Sequence, residues 1–150
     1  MPAIRAATKN DLEPLLVLME KLILEDHEEG RRFEGEKARK AMGDLLACRS
    51  LGTVFVATDK GDVIGYLVLA FGYIPEFHGR DAFVDEFFVD GSHRGMGLGK
   101  KMLARTENAV KKLGIKALHL EVTKNNDRAV QFYRRKRFRD HDSYLMTKRV

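Results

Sequence analysis

The chain has 150 residues, 44% of them hydrophobic, a formal net charge of +5 and a single cysteine. That length holds one domain able to bury roughly 70% of the surface its unfolded form exposes, with no room for a second large one, and Cys48 alone excludes an intrachain disulfide and a Cys-rich zinc site. The longest apolar run, Val63 to Pro75, is broken by glycines and tyrosines and falls short of the roughly 18 residues of a membrane span; no fibrous or low-complexity composition is present.

Met1 to Arg5 lacks the basic start and apolar stretch of a secretory signal, so the expected setting is the cytoplasm, with no membrane association. Charge is unevenly spread. Residues 1–50 carry 9 Lys/Arg against 10 Asp/Glu, residues 51–90 carry 2 against 7, and residues 91–150 carry 16 against 5. An acidic first part and a strongly basic end suit a protein that holds a polyphosphate at one end and a cation at the other, and also a nucleic-acid binder.

Ile4 and Ala6 flank Arg5 in a short first strand. Thr8, Asn10 and Asp11 are capping types, and Leu12, Leu15, Leu16, Met19, Leu22 and Ile23 then recur at helical spacing. Glu25 to Glu29 close that helix, with Gly30 as its stop. Residues 34–48 read as a second helix with Ala38, Met42, Leu45 and Leu46 on one side. Thr53–Ala57 and Val63–Tyr73 are strands joined by the turn Asp59-Lys60-Gly61-Asp62, a hairpin. Pro75 and Gly79 bracket a loop before a strand from Phe83 to Val89. A helix over about 97–113 ends at Gly114, and Leu118–Val122 alternates as a strand buried on one face. Asn125, Asn126 and Asp127 offer an N-cap for a helix to about Lys136, and the loose alternation of Phe138, Tyr144 and Met146 predicts one or two final strands. The order β-α-α-β-β-β-α-β-α-β is that of a single layered α/β domain over residues 1–150.

The most informative segment runs from Val84 to Lys100, where a strand feeds a glycine-rich turn that opens an amphipathic helix. Gly95, Gly97 and Gly99 remove side chains where backbone N–H groups can point outward, and the free N–H groups and dipole of a helix start attract anions. Arg94 and Lys100 add positive charge. The pattern is a cradle for pyrophosphate, but it lacks the Gly-Lys-Ser/Thr of a P-loop and does not open a first βαβ unit as a dinucleotide-binding fold would.

Arg94-x-x-Gly97-x-Gly99 resembles the acetyl-CoA signature of the GNAT N-acetyltransferases. In the same order stand the strand Val84–Val89, the strand Leu118–Val122, then Asn126-x-x-Ala129-x-x-Phe132-Tyr133 and Phe138. The resemblance implies a mixed central sheet with splayed strands flanked by helices, and acetyl-CoA as cosubstrate. It implies that the strand backbone at Phe87, Phe88 and Val89 pairs with the pantetheine arm. The amides of Arg94, Gly95, Met96, Gly97, Leu98, Gly99 and Lys100 would hold the pyrophosphate. Asn126 resembles the residue that bonds near the pantetheine or orders the splayed strands, and Tyr133 the general acid beside the CoA sulfur. The family usually has glycine where this chain has Arg137, which predicts an altered loop with the chemistry kept.

A thioester that transfers its acyl group expels a thiolate, and a phenol with a pKa of about 10 can protonate it; Tyr133 suits that role. An acceptor ammonium must first lose a proton, and a carboxylate or a carboxylate-held water can take it. Asp85 and Glu86 are neighbours on one strand and are expected on opposite faces, so only one looks into a given cleft. Asp85-x-Phe87-Phe88-Val89, with Tyr73 upstream, is similar to the diamine and polyamine branch of the family, where the first acidic position binds or deprotonates the acceptor. Here that is Asp85, with Glu86 the second choice. The branch tends to have glutamate at that position, which keeps a water relay open beside direct proton removal.

The five histidines, His27, His78, His93, His119 and His141, show no metal-ligand spacing, and no metal is expected. His119 and Glu121 share the polar side of their strand, and His27 lies in the acidic run that could attract a cationic acceptor. The reading is an N-acetyltransferase of a small cationic amine. Protein, peptide or aminoglycoside acetylation, a non-catalytic acyl-CoA sensor and, remotely, a basic nucleic-acid-binding domain are the alternatives. No nucleic-acid partner is expected, since the helix-turn-helix, zinc-finger and RNP patterns are missing. Many relatives of this size pair, so a homodimer stays open.

Overall fold

In a computed structural model that describes residues 1–26 and 30–150, the chain divides into two compact units, Met1–Leu120 and Glu121–Val150. The first unit is a five-stranded sheet. Its strands are β1 (Ala3–Ala6), β2 (Gly52–Asp59), β3 (Asp62–Ile74), β4 (Gly79–Val89) and β5 (Ala117–Leu120), and its helices are α1 (Leu12–Asp26), α2 (Gly35–Ala47) and α3 (Leu98–Lys112). The strands lie in sequence order; β1 to β4 are antiparallel, and β5 joins β4 in parallel across α3.

Alternation along the strands sorts the core onto two faces. Val54, Val56, Tyr66, Val68 and Phe88 pack with Leu15 and Leu18 of α1 and Met42 of α2. Phe55, Ala57, Leu67, Leu69, Ala82 and Val84 pack with Leu98, Met102 and Val110 of α3. Covered on both sides, β2 and β3 need apolar residues at successive positions, which is why they read as near-continuous hydrophobic runs. The predicted β2–β3 hairpin forms. Lys60 and Gly61 both have positive φ, 50° and 95°, as the turn that matches strand twist requires.

The fold departs from the expected periodicity in two places that position the site. First, β4 pairs with β5 only from Asp81↔Ala117 to Val84↔Leu120, so Asp85–Val89 runs on with no strand beside it on that side among the described residues. Second, the β3–β4 register shifts between Val68 and Leu69, where Leu69 faces Val84 and Val68 faces Glu86. Asp85 is the extra residue of a β-bulge, a device that bends a strand and re-aims its side chains.

The second unit contains α4 (Asp127–Arg135). Among the described residues no strand follows it, against the one or two that the tail alternation predicts. Tyr144, Leu145 and Met146 are 88%, 71% and 89% exposed, so their alternation buries nothing to offset the entropy of ordering a strand. The chain leaves α4 through a turn at Arg137. Phe138 donates its amide to Tyr133 O (3.1 Å) and Arg137 to Arg134 O (2.9 Å), Arg137 sits at φ +69°, and the Phe138 ring meets that of Tyr133 at 5.7 Å. This is a Schellman turn with its usual apolar contact, built with arginine where glycine is unstrained. Left-handed backbone costs an L-residue about 1–2 kcal/mol, and glycine adds about 0.5–1 kcal/mol of unfolded-state entropy. Arg137→Gly is therefore expected to stabilise by about 0.5–1 kcal/mol, read as a raised urea midpoint at unchanged m; a lowered midpoint would mean that the Arg137 side chain contributes more than its backbone costs.

Among the described residues no helix is long and apolar enough to cross a membrane.

Candidate functional site

The glycine turn and the end of β4 meet in the first unit. A short 3-10 turn over Gly91–His93 leads out of β4 into Arg94, and Gly95 and Gly97 follow at φ +81° and +74°. Gly97 is the N-cap of α3, and a Cβ placed on Gly95 or Gly97 would meet nothing within 4 Å. The positive φ at both positions calls for glycine, and the space in front of the turn is open. The first amide bonded within the helix is that of Lys101, to Gly97 O at 3.1 Å. The N–H groups of Leu98, Gly99 and Lys100 are thus the open donors of the first turn. Gly99 lies under the ring of Phe87, which a Cβ would approach to 3.5 Å. Leu98 is buried and anchors the helix start, whereas Met96 and Lys100 are exposed.

Arg94 does not point its charge into the open turn, contrary to the expectation that it adds to the cradle. Its Nε donates to Val89 O (2.7 Å), its Nη2 to Glu25 Oε2 (2.5 Å), and its guanidinium lies 5.2 Å over the Phe88 ring. Three partners from β4 and α1 claim a side chain that can bend back over the strand end. Arg94 therefore ties the turn to the wall formed by α1. Beside it is a cleft of about 280 Å³ lined by Leu22, Glu25, Asp26, Phe87, Val89 and Arg94. A larger cleft of about 400 Å³ lies between α1 and the start of α2, lined in part by Leu16, Val17 and Phe33; it shares no residue with the turn or with β4.

The bulge sets Glu86 opposite Val68, off the face that alternation from Val84 would give it. Glu86 lies on the α1–α2 face, where Tyr66 Oη donates to its Oε2 at 2.8 Å and Arg31 Nη2 stands 3.8 Å from its Oε1. Its side chain is 15% exposed. Burial raises the carboxyl above its usual range, the Tyr66 hydrogen bond opposes that, and the neighbouring charge of Asp85 adds to it. Asp85 is exposed, and its charge acts on both Glu86 and Tyr66. The Tyr66 phenol is driven well up, by burial first and then by the Glu86 charge. The acidic wall is largely paired: Glu25 to Arg94, Asp26 to Arg31 at 2.5 Å, and Asp90 to Lys21 at 2.7 Å. The Lys21 and Ser92 bonds hold Asp90 well below the usual carboxylate range, at about 2. The rest of the acidic run, with His27, Glu28 and Glu29, lies outside the described residues.

His119 turns to Asp81, 3.4 Å away, and to the Phe77 ring at 5.4 Å, all on the paired stretch of β4 and β5. In the second unit, Asn126 caps α4, its Oδ1 accepting from Ala129 N at 3.2 Å, so its side-chain oxygen is committed to the helix start. Tyr133 is half-buried, edge-on to Phe132 at 5.2 Å and to Phe138, and burial pushes its phenol up. Tyr66 and Arg31 escaped the sequence reading. A phenol inside the otherwise aliphatic run Ile64–Leu69 was the available sign, because a buried Tyr O–H needs a partner. Arg31 left no such sign.

Comparison with known proteins places these features in a family. The model of the acetyltransferase (GNAT) family matches residues 17–138. The spermine/spermidine N(1)-acetyltransferase of Bacillus subtilis (strain 168) is 34% identical over 82 residues, covering 51% of this chain and 52% of that protein; the match thus spans about half the length of that curated relative. Among solved structures, an integron cassette protein from the mobile metagenome of Cole Harbour Salt Marsh superposes with a TM-score of 0.86 at 28% identity, over 98% of this chain and 90% of the other. A predicted acetyltransferase with acetyl-CoA from Clostridium acetobutylicum has the same fold, with a TM-score of 0.84 at 21% identity over 99% and 96% of the two chains.

Proposed function

The chain belongs to the acetyltransferase (GNAT) family, and from that premise we propose that it transfers the acetyl group of acetyl-CoA to the primary amine of a small cationic molecule of diamine or polyamine type. Acetyl-CoA is the acetyl donor of this family. The open amides of Leu98, Gly99 and Lys100 are suited to its pyrophosphate, and the strand edge at Phe87–Val89, beyond the last β5 pair, to its pantetheine amides. The observation that carries the acceptor side is the part-buried Glu86 carboxyl, raised by burial, on β4 just before the edge Phe87–Val89 proposed for the pantetheine arm.

In the reaction the ammonium of the acceptor gives one proton to Glu86, directly or through a water held near Asp85. The neutral nitrogen forms a bond to the acetyl carbon, and the carbon–sulfur bond breaks. Tyr133, the assigned acid, protonates the departing thiolate and recovers its proton from the nitrogen, which loses two in all. The products are the N-acetylated amine and CoA. Residues 1–150 act as one catalytic domain, a reading supported by a family match that runs through both units. The reading places the protein in the cytoplasm.

The similarity to a protein named spermine/spermidine acetyltransferase and the exposed Asp85 support a dication. The pairing of Glu25 and Asp26 with arginines favours a second reading, an acceptor recognised mainly at its reacting amine, such as a peptide or an aminoglycoside. Thiol release measured against diamines, polyamines, aminoglycosides, amino acids and peptides separates these. Asp85→Asn is expected to lower kcat/KM more for a diamine than for a matched monoamine, with a smaller difference at high salt. Equal losses would mean that Asp85 does not read the distal charge, and no turnover with any acceptor would leave a non-catalytic acyl-CoA binder.

A further inference from the structure

We infer that Tyr66 and Arg31 are positioning residues for the proton transfer: they hold the Glu86 carboxylate from its two ends, Tyr66 fixing Oε2 and leaving Oε1 to accept the proton of the acceptor. The inference rests on Glu86 as the base. Tyr66 has no exposed surface. Its ring belongs to the core under α1, 6.3 Å from that of Phe88, and its hydroxyl is placed 2.8 Å from Glu86 Oε2. A purely structural ring at this position would be served by phenylalanine, since a phenol brings a polar atom into the core that must then be satisfied. The hydrogen bond is possible because of the β-bulge. With regular alternation Glu86 would share the α3 face with Val84; the extra residue Asp85 sets Glu86 opposite Val68 and on the side of Tyr66.

The second oxygen is treated differently. Arg31 Nη2 stands 3.8 Å from Oε1, beyond hydrogen-bond reach, while its Nη1 is bonded to Asp26 at 2.5 Å. Oε1 is thus near a positive charge without being closed by it. A carboxylate that works as a base needs one oxygen held and the other open, and it must be ionised when the ammonium arrives. The groups around Glu86 act on that ionisation in known directions. Burial and Asp85 beside it on β4 favour the protonated form, whereas Tyr66 from β3 and Arg31 from the segment before α2 favour the carboxylate; Asp26 of α1 stands behind Arg31.

Removing the Tyr66 hydroxyl leaves burial less opposed, so Glu86 holds its proton to a higher pH. In Tyr66→Phe the acid limb of the kcat/KM profile is expected to move up by about one pH unit, which is a roughly tenfold loss on that limb, recovered at higher pH, with the KM for acetyl-CoA unchanged. Arg31→Gln, at a part-exposed position, is expected to move the same limb in the same direction by less. Profiles of both variants and of Glu86→Gln, taken with one acceptor from pH 5 to 9, test the inference. An unmoved acid limb in folded Tyr66→Phe overturns it while Glu86 as base stands, provided Glu86→Gln is inactive. Should Tyr66→Phe not fold, an unmoved limb in Arg31→Gln overturns it instead. An active Glu86→Gln removes both the base and the inference built on it.

Discussion

Gly97→Val is expected to reduce the affinity for acetyl-CoA by a factor of 100 or more while the rest of the protein stays folded. Two effects act together. Valine is β-branched and disfavoured at φ +74°, so the turn relaxes and the amides of Leu98, Gly99 and Lys100 lose their common direction. Its side chain also projects into the open space before the turn, where nothing of the protein lies within 4 Å of a Cβ and where the pyrophosphate is assigned. Loss of two hydrogen bonds to a charged group, at about 1.5–3 kcal/mol each, accounts for the factor. Gly114→Val is the control. Gly114 has nearly the same φ, +70°, and the same open surroundings, but it closes the far end of α3 through Gly114 N to Lys111 O and Ile115 N to Val110 O. It should cost comparable stability and leave binding intact. Calorimetric titration of both variants with acetyl-CoA decides the matter, and equal affinities would remove the cofactor from this turn.

Tyr133→Phe is expected to lower kcat by about 100-fold or more, the usual contribution of a general acid, with acetyl-CoA affinity within twofold of wild type. The ring contacts with Phe132 and Phe138 survive the substitution, so stability should change little. Burial raises the Tyr133 phenol above its ordinary value, so it carries its proton throughout the neutral range and is in the form an acid needs. The sign of the pH dependence follows. No loss of activity from Tyr133 ionisation is expected below about pH 10, and the rise of rate with pH on the acid side reflects ionisation of Glu86, which takes the proton of the acceptor. Rapid-quench measurement of thiol release isolates the step. A kcat within twofold of wild type would reduce Tyr133 to a packing residue.

Much of this was legible before any coordinates. The glycine-rich turn, the hairpin and the two faces of β2 and β3 are local consequences of residue type: glycine for positive φ, Lys60-Gly61 for a tight turn, successive apolar positions for a strand covered on both sides. The turn proposed for the cofactor is read this way because glycine spacing reports directly where backbone is bare. The acceptor side resisted the same treatment. Alternation counted from Val84 would put Glu86 on the α3 face, and it fails there because one inserted residue changes the parity of everything after it. The tail misled for the opposite reason, since Tyr144 and Met146 alternate like a strand but find no surface to cover.

What the amino-acid order determined by itself was therefore the family, the elements as far as α4 and the turn, all set within a few residues of chain. Only the tertiary structure decided which carboxylate is buried, that Arg94 bends back to Glu25 rather than facing the turn, and that Tyr66 and Arg31 meet Glu86. Those choices depend on register and on partners that sequence separates, Glu25 from Arg94 and Tyr66 from Glu86. Desolvation, which sets the proton affinity of Glu86, is a property of what surrounds a group in space and has no counterpart in its neighbours along the chain.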